Sequence, residues 1–247
     1  MNDATPAAAT APLTVVLVHG AFADSSGWAG VVERLHDAGV SVTAPPNPLR
    51  GVAHDAAYIA SRLNQIPGPV LLVGHSYGGV VITNAAANAS NVVGLVYVAA
   101  FAPDEGESLE DIEVDSRDSV LTSALIPLQY PTGRGAEAAV ELAIDPAKFH
   151  VAFAADLSVT EAAVLAATQR PAAALAFSEK SGVPAWKTLP AWAVVAKGDK
   201  AAGSDVVRAM AKRAGATIVE VAGSHAIMIS QPQAVADAIL TAIDTVA

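Results

Sequence analysis

The chain contains no cysteine among its 247 residues. This absence excludes a disulfide scaffold, a thiolate zinc site and a cysteine nucleophile. Positive charge is also scarce, since 14 Lys and Arg stand against 24 Asp and Glu, for a formal net charge of −10. Nucleic-acid phosphates and anionic lipids repel such a chain, so we expect no nucleic-acid or membrane partner. The composition is compatible with a small-molecule substrate.

A long apolar run and an N-terminal leader are missing as well. No stretch reaches the roughly 18 uninterrupted apolar residues that span a bilayer. Residues 1–12 hold one Asp and no Lys or Arg, and they lack the continuous apolar stretch of a signal peptide. We therefore expect a flexible N-terminal tail over 1–12 and a cytoplasmic protein. The sequence permits a homodimer without requiring one.

Short apolar, β-branched runs alternate with longer segments of helical spacing. Apolar residues make up 53% of the chain, enough for a large core, and we expect one domain over 13–247. The predicted strands are 13–18, 40–43, 70–73, 92–98, 191–196 and 217–221. The predicted helices are 26–38, 52–64, 79–88, 204–213 and 232–246. Strands that are apolar throughout are typical of a parallel sheet covered on both faces, which predicts an α/β fold with a mostly parallel six-stranded sheet.

The segment 103–187 interrupts this alternation between the fourth and fifth strands. It is rich in Ala, Leu and acidic residues and shows no convincing buried strand. Its position brings it to the carboxyl ends of the strands, where open α/β sheets bind ligands. We predict a helical cap over a site there, with a peripheral helical decoration as the alternative.

The sharpest motif is residues 74–79, which read Gly-His-Ser-Tyr-Gly-Gly between a predicted strand and a helical segment. A Gly-x-Ser-x-Gly turn of this kind strains the serine and presents its hydroxyl, and the glycines prevent a collision across the bend. The free N–H groups at the helix start favour the negative charge that develops in acyl transfer. We predict Ser76 as the nucleophile, with a purely structural turn as the alternative.

A serine nucleophile needs a general base, and six histidines are available. His225 follows the strand 217–221 in a small-residue loop late in the chain, as the base does in proteins with this serine motif. His19, at the end of the first strand, and His75, beside the nucleophile, are predicted to be structural. Solvated or packing roles are predicted for the other three: His36, His54 and His150.

The acid that orients the base is expected between Ser76 and His225 in sequence. Asp199 stands just past the end of the strand 191–196, the usual place for such an acid. Asp205 is the rival, although its position after Gly-Ser suggests that it caps or charges the first turn of the next helix.

Two backbone donors are predicted for the oxyanion, the N–H of Tyr77 after the nucleophile and that of Ala21 after the first strand. A tight turn that needs Gly20 only for its backbone is the alternative at the second position. Large apolar side chains from the first loop and the cap are predicted to line the substrate pocket: Phe22, Phe149, Phe153 and Trp186.

Four short blocks of sequence stand in a characteristic order and spacing: residues 17–21 (Leu-Val-His-Gly-Ala), 74–79, 198–200 (Gly-Asp-Lys) and 224–226 (Ser-His-Ala). In these blocks the chain resembles the α/β-hydrolase superfamily. The likeness runs nearly end to end and is to the small cap-bearing branch of plant methylesterases, hydroxynitrile lyases and bacterial esterases. It implies Ser76, Asp199 and His225 as a catalytic triad and the N–H groups of Ala21 and Tyr77 as the oxyanion hole. It also implies no cofactor. We expect no metal site.

The function that follows is a serine hydrolase that cleaves small, mainly apolar carboxylic esters through an acyl-enzyme. The lyases of this branch have a threonine and a lysine where this chain has Gly20 and Ala226, so hydrolysis is expected rather than cyanohydrin cleavage. Two alternatives stay open, a cofactor-free perhydrolase or haloperoxidase and a slow-turnover receptor for a small ligand. Peracid formation with added peroxide distinguishes the first, and turnover of an activated ester distinguishes the second.

Overall fold

The computed structural model describes residues 11–246, so the tail predicted for 1–12 lies almost wholly outside the described residues. Their strands are β1 (Thr14–Val18), β2 (Ser41–Thr43), β3 (Val70–His75), β4 (Val92–Val98), β5 (Leu125–Pro131), β6 (Ala138–Ile144), β7 (Ala172–Ala173), β8 (Ala191–Ala196) and β9 (Thr217–Val221). Their α-helices are α1 (Ala29–Asp37), α2 (Val52–Leu63), α3 (Tyr77–Ala85), α4 (Leu109–Val114), α5 (Leu121–Ala124), α6 (Pro146–Phe153), α7 (Val159–Thr168), α8 (Leu175–Ser178), α9 (Ser204–Arg213), α10 (Ile227–Ser230) and α11 (Pro232–Val246). Short 3-10 helices lie at Ser25–Trp28, Ala86–Asn88 and Ala185–Lys187.

The main sheet has six strands in the order β2-β1-β3-β4-β8-β9, and every pair in it is parallel. This confirms the predicted fold class. The inner strands β3 and β8 are buried along their whole length, as their uninterrupted apolar sequences require. Because the strands are parallel, the loops after β1, β3, β8 and β9 all leave from the same edge of the sheet.

Two apolar layers cover the two faces of the sheet. Successive side chains of a strand point to opposite faces. Val16 and Val18 of β1 therefore pack into the layer that contains α2, α3 and α9, while Val15 and Leu17 pack into the layer that contains α1 and α11. Within residues 11–246, no helix has both the length and the apolar composition needed to cross a membrane.

The chain between β4 and β8 holds five helices, α4 to α8, and also a three-stranded antiparallel sheet in the order β5-β6-β7. The helices agree with the predicted cap, but the sheet was not predicted. β7 has only two residues, and β5 and β6 are partly exposed and mix apolar residues with Gln129 and Glu141. They therefore lack the buried apolar run that signals a parallel strand. A hairpin that covers a site from outside has only one face to bury.

Candidate active site

Ser76 stands between β3 and α3 in a left-handed conformation, with φ 54° and ψ −125°. A Cβ added to Gly74 would lie 2.6 Å from the carbonyl oxygen of Gly78. One added to Gly78 would lie 2.4 Å from that of Val18. Gly74 is therefore required by the sharp bend, and Gly78 by the close approach of α3 to the end of β1. The strained serine fits a functional position. Ser76 is buried, with 7% of the residue surface exposed.

Gly20, in the loop after β1, lies directly against Ser76. A Cβ at this position would be 2.6 Å from the Cβ of Ser76 and 2.8 Å from the carbonyl oxygen of His75. Real Cβ atoms essentially never come this close, so glycine is needed for the first loop to reach the serine. The alternative interpretation of Gly20 as a turn residue alone misses this contact.

His225 and Asp199 form a buried pair at the ends of β9 and β8. The Nδ1–H of His225 donates to Asp199 Oδ2 over 2.8 Å. The other oxygen, Asp199 Oδ1, accepts from the backbone N–H groups of Ala201 at 2.9 Å and Ala202 at 3.0 Å. The acid is thus fixed, and the proton on Nδ1 leaves Nε2 of His225 as the ring nitrogen that can accept.

Ser76 and His225 line one cavity, but their side chains are not hydrogen-bonded to each other within residues 11–246. Catalytic hydrogen bonds are often long before substrate binds and tighten in the complex. The structure therefore brings together the three residues predicted as a triad and shows the Asp199 to His225 bond directly.

Asp205, the rival acid, is held elsewhere. Its Oδ1 accepts from Ser116 Oγ and its Oδ2 from the N–H of Arg117, both at 2.9 Å. In return, Asp118 Oδ2 accepts from Ser204 Oγ at 2.7 Å. The two aspartates join the cap loop 115–120 to the first turn of α9. Asp205 lies in that turn, as predicted, but its carboxylate binds the loop and does not cap the helix, which has Gly203 at its N-cap. The sequence carried no signal for Asp118, because its partner is 86 residues away.

The two histidines predicted to be structural are buried and neutral. His19 Nδ1–H donates to the carbonyl of Gly20 at 2.9 Å, and its Nε2 accepts from the N–H of Asn47 at 2.9 Å. Burial lowers the pKa of His19 to about 4. His75 Nε2–H donates to the carbonyl of His225 at 2.9 Å, and burial with the neighbouring His225 lowers the pKa of His75 well below its ordinary value. The other three histidines lie outside the cavity: His36, His54 and His150.

Ala21 and Tyr77 both line the cavity that holds Ser76. Among the described residues, neither backbone N–H donates to a backbone carbonyl, whereas that of Phe22 donates to Arg170 over 3.0 Å. The two predicted oxyanion donors are therefore free. The phenol of Tyr77 donates to Asp55 Oδ2 at 2.9 Å, and burial with the Asp55 charge raises the pKa of Tyr77 well above its ordinary value, so this side chain has a structural role.

The predicted pocket residues divide into two groups. Phe22 and Phe153 line the cavity, but Phe149 and Trp186 do not, which corrects the prediction for those two. Phe149 packs behind Phe153 with ring centroids 5.0 Å apart. Trp186 donates its indole N–H to the carbonyl of Pro103 over 3.0 Å and ties the two ends of the cap together. Both are large and apolar, but their neighbours rather than their type decide what they face.

Seven residues of the cavity wall carry no signal in the sequence and were not predicted: Phe101, Leu109, Glu113, Leu121, Phe177, Ala201 and Ala202. The cavity has a volume of about 10 Å³, and next to it lies a larger space of about 520 Å³. We call this second space the apolar groove. Its walls are formed mainly by Leu109, Val114, Leu121, Leu125, Leu142 and Phe177. In residues 11–246, no group of three or more His, Cys, Asp or Glu is arranged to hold a metal.

Comparison with known proteins agrees with this architecture. A carbendazim hydrolyzing esterase from Nocardioides sp. is 34% identical over 107 residues, 38% of this chain and 44% of that protein. The match thus spans less than half of the curated relative. Polyneuridine aldehyde esterase superposes with a TM-score of 0.78 at 20% identity, over 94% of this chain and 100% of that one. A pyrethroid hydrolase from Sphingobium faniae superposes with a TM-score of 0.76 at 21% identity, over 95% and 98%.

These structural similarities, at sequence identities below 25%, support the fold alone. The sequence model of the alpha/beta hydrolase family matches residues 15–238, which include the six strands of the main sheet except the first residue of β1, and the loops with Ser76, Asp199 and His225. This match covers most of the chain. The protein therefore belongs to the α/β-hydrolase family.

Proposed function

We propose that the protein is a serine esterase, which hydrolyses small, mainly apolar carboxylic esters through an acyl-enzyme on Ser76. One observation carries the proposal. The buried pair of Asp199 and His225 leaves Nε2 of the histidine free in the same cavity as a serine with φ 54°. Membership of the family and the partial identity to a carbendazim hydrolyzing esterase support hydrolysis of an ester-like bond.

In the acylation step, Ser76 Oγ attacks the ester carbonyl carbon and His225 Nε2 takes the hydroxyl proton. The carbonyl oxygen becomes an oxyanion, which the N–H groups of Ala21 and Tyr77 stabilise. The bond from carbon to the alcohol oxygen then breaks, and the imidazolium gives its proton to that oxygen. The alcohol leaves, and the acyl group stays on the serine as an ester.

Water reverses the sequence in the second step. His225 Nε2 takes a proton from water as the oxygen attacks the acyl carbon, and the oxyanion forms again between the same two donors. The bond to Ser76 Oγ breaks, the serine regains a proton from His225, and the carboxylic acid leaves. Asp199 holds the imidazole in the tautomer that both steps need and stabilises its charged form.

The cavity wall indicates the substrate class. Phe22, Phe101, Phe153 and Phe177 contribute aromatic surface, and no Lys or Arg belongs to the wall in the described part of the chain. Such a wall favours apolar, uncharged groups, because an anion would lose its hydration without gaining a partner.

A panel of 4-nitrophenyl acetate and butanoate, alkyl acetates and methyl esters of aromatic acids tests the proposal. Ser76→Ala should lower turnover by about 10⁴-fold or more, since triad members act as a unit. The matched control is Ser123→Ala, an exposed serine on α5, which should keep the wild-type rate. A fluorophosphonate should label the peptide that contains Ser76. Labelling of another serine, or turnover that survives Ser76→Ala, would contradict the mechanism.

A further inference from the structure

Glu113 on α4 lies where the cavity beside Ser76 meets the apolar groove. The cavity, at about 10 Å³, has room for roughly one water-sized group. The groove, at about 520 Å³, has the size of a small-molecule site. Four residues belong to the walls of both: Leu109, Glu113, Leu121 and Phe177. An ester whose carbonyl reaches Ser76 does not fit in the cavity alone, and the groove past Glu113 is adjacent space for its larger arm.

The hydrogen bonds around Glu113 indicate a neutral carboxylic acid. Ser119 Oγ lies 2.7 Å from the carbonyl oxygen of Ala201 and 3.0 Å from Glu113 Oε2. A hydroxyl has one proton, and the carbonyl of Ala201 can only accept, so the shorter contact takes that proton. The contact with Glu113 is then a hydrogen bond only when the carboxyl group donates a proton of its own.

The electrostatic surroundings act in the same direction. Among the described residues, Glu113 forms no ion pair with a Lys or Arg. Burial, together with the charge of Asp199, raises the pKa of Glu113 to about 8. A buried carboxyl without a cation keeps its proton at neutral pH.

The second oxygen of this carboxyl has nothing to bind within the protein. Glu113 Oε1 is buried and has no hydrogen-bond partner among the described residues. With the proton on Oε2, Oε1 is a carbonyl oxygen and can only accept. An unpartnered buried acceptor is costly, and a donor on a bound molecule would relieve that cost.

We propose that Glu113, as a neutral acid, is a specificity-determining residue whose Oε1 accepts a hydrogen bond from an O–H or N–H group on the substrate's arm. This inference rests on the esterase function proposed above. It narrows the substrate class to uncharged esters that carry a donor close to the ester group. An arm that ends in a carboxylate brings no donor and is repelled by the charge of Asp199, which already acts on Glu113.

Binding to the Ser76→Ala protein tests the proposal without turnover. The probes are ethyl 2-hydroxybutanoate, ethyl 3-hydroxybutanoate and 2-hydroxyethyl butanoate, each paired with the compound in which O–CH₃ replaces O–H. The hydroxyl member of at least one pair should have a Kd about tenfold lower than its partner, since one buried hydrogen bond is at stake. Calorimetry gives both constants.

Two substitutions in that background separate the hydrogen bond from the shape of the site. Glu113→Leu should bring the Kd ratio of the preferred pair to about one. Glu113→Gln should keep the preference, because its amide nitrogen can donate to Ser119 while its oxygen still accepts. Glu105→Leu, an exposed acid outside both cavities, is the matched control and should keep the ratio. Thermal unfolding of each variant confirms that it is folded.

The proposal is overturned by a ratio near one for every pair, by a ratio that survives Glu113→Leu, or by no binding of either member at millimolar concentration. Failure of the esterase function is a separate result. It would appear as no hydrolysis of any ester by the wild-type protein, and the Kd comparison does not depend on it.

Discussion

The Nδ1–H of His225 donates to Asp199 Oδ2 over 2.8 Å, and each residue exposes only 1% of its surface. The other oxygen of the acid is held by two backbone N–H groups, so the carboxylate cannot turn away. Within this buried pair, the identity of one atom on residue 199 decides which nitrogen of the imidazole carries the proton.

Asp199→Asn should therefore lower kcat for 4-nitrophenyl acetate by about 10³-fold to 10⁴-fold. The amide oxygen would keep the two backbone donors, and the amide N–H₂ would then face Nδ1. The imidazole proton would move to Nε2, which could no longer accept from Ser76. Asp237→Asn, on the exposed side of α11, is the control and should keep the wild-type kcat. A near-normal rate for Asp199→Asn would assign the acid elsewhere.

Gly20→Ala should lower kcat by about 10²-fold or more, because the new methyl group would lie 2.6 Å from Ser76 Cβ and displace the nucleophile. The rate of fluorophosphonate labelling at Ser76 should fall with it. Gly27→Ala is the comparison, since its methyl group would meet only the flexible ends of two side chains, Met228 at 3.4 Å and Ile229 at 3.8 Å. If both variants were equally active, the first loop would not constrain the serine as the structure indicates.

Trp186→Phe should lower the free energy of unfolding by about 1–3 kcal/mol, since it leaves the buried carbonyl of Pro103 without its donor. Ester selectivity should stay unchanged because Trp186 does not line the cavity. Phe153→Leu, in contrast, should change ester selectivity. The ring of Phe153 lines the cavity, and its centroid lies 4.8 Å from that of the His225 ring. Urea unfolding measures the change in stability, and an ester panel measures selectivity. A change of selectivity in Trp186→Phe would show that Trp186 does line the pocket.

The stability of the wild-type protein relative to Glu113→Gln should fall as pH rises from about 4.5 to about 8. Over that window the unfolded chain loses the Glu113 proton while the folded protein keeps it, so ionisation favours unfolding. His225 and Tyr77 line the same cavity, the charge of Asp199 acts on Glu113, and Glu110 lies on the same helix. These groups are common to both proteins and largely cancel in the difference. Urea unfolding at several pH values gives this difference. A constant difference would mean that Glu113 is ionised in the folded state.

Cleavage of mandelonitrile should not exceed that of a Ser76→Ala control. A leaving cyanide is an anion, and burying it without a partner costs several kcal/mol. In the described residues, the cavity wall has no Lys or Arg, and position 226 is a fully buried alanine. An ester needs no such cation, because its oxyanion forms beside backbone donors. Cyanide release comparable to ester turnover would show that another cation reaches the site.

The sequence by itself determined the parallel sheet and the positions of Ser76, Asp199 and His225. Each of these signals is local: a strand buried on both faces needs a continuous apolar run, and a strand-to-helix bend needs glycines at fixed spacing. The strand bounds Val92–Val98, Ala191–Ala196 and Thr217–Val221 agree with the predicted ones. The order of the three functional residues along the chain follows from the same topology.

Only the tertiary structure decided what the cap does. Its partly exposed sheet leaves no long buried apolar run to detect. Which of Phe153, Phe149 and Trp186 lines the cavity depends on packing between distant segments. The role of Glu113 depends on Ser119, Ala201 and Asp199, residues that come together only after folding. Burial and hydrogen-bond partners, and with them the protonation of a carboxyl group, are properties of a site in three dimensions, whereas a sequence records only which groups are available.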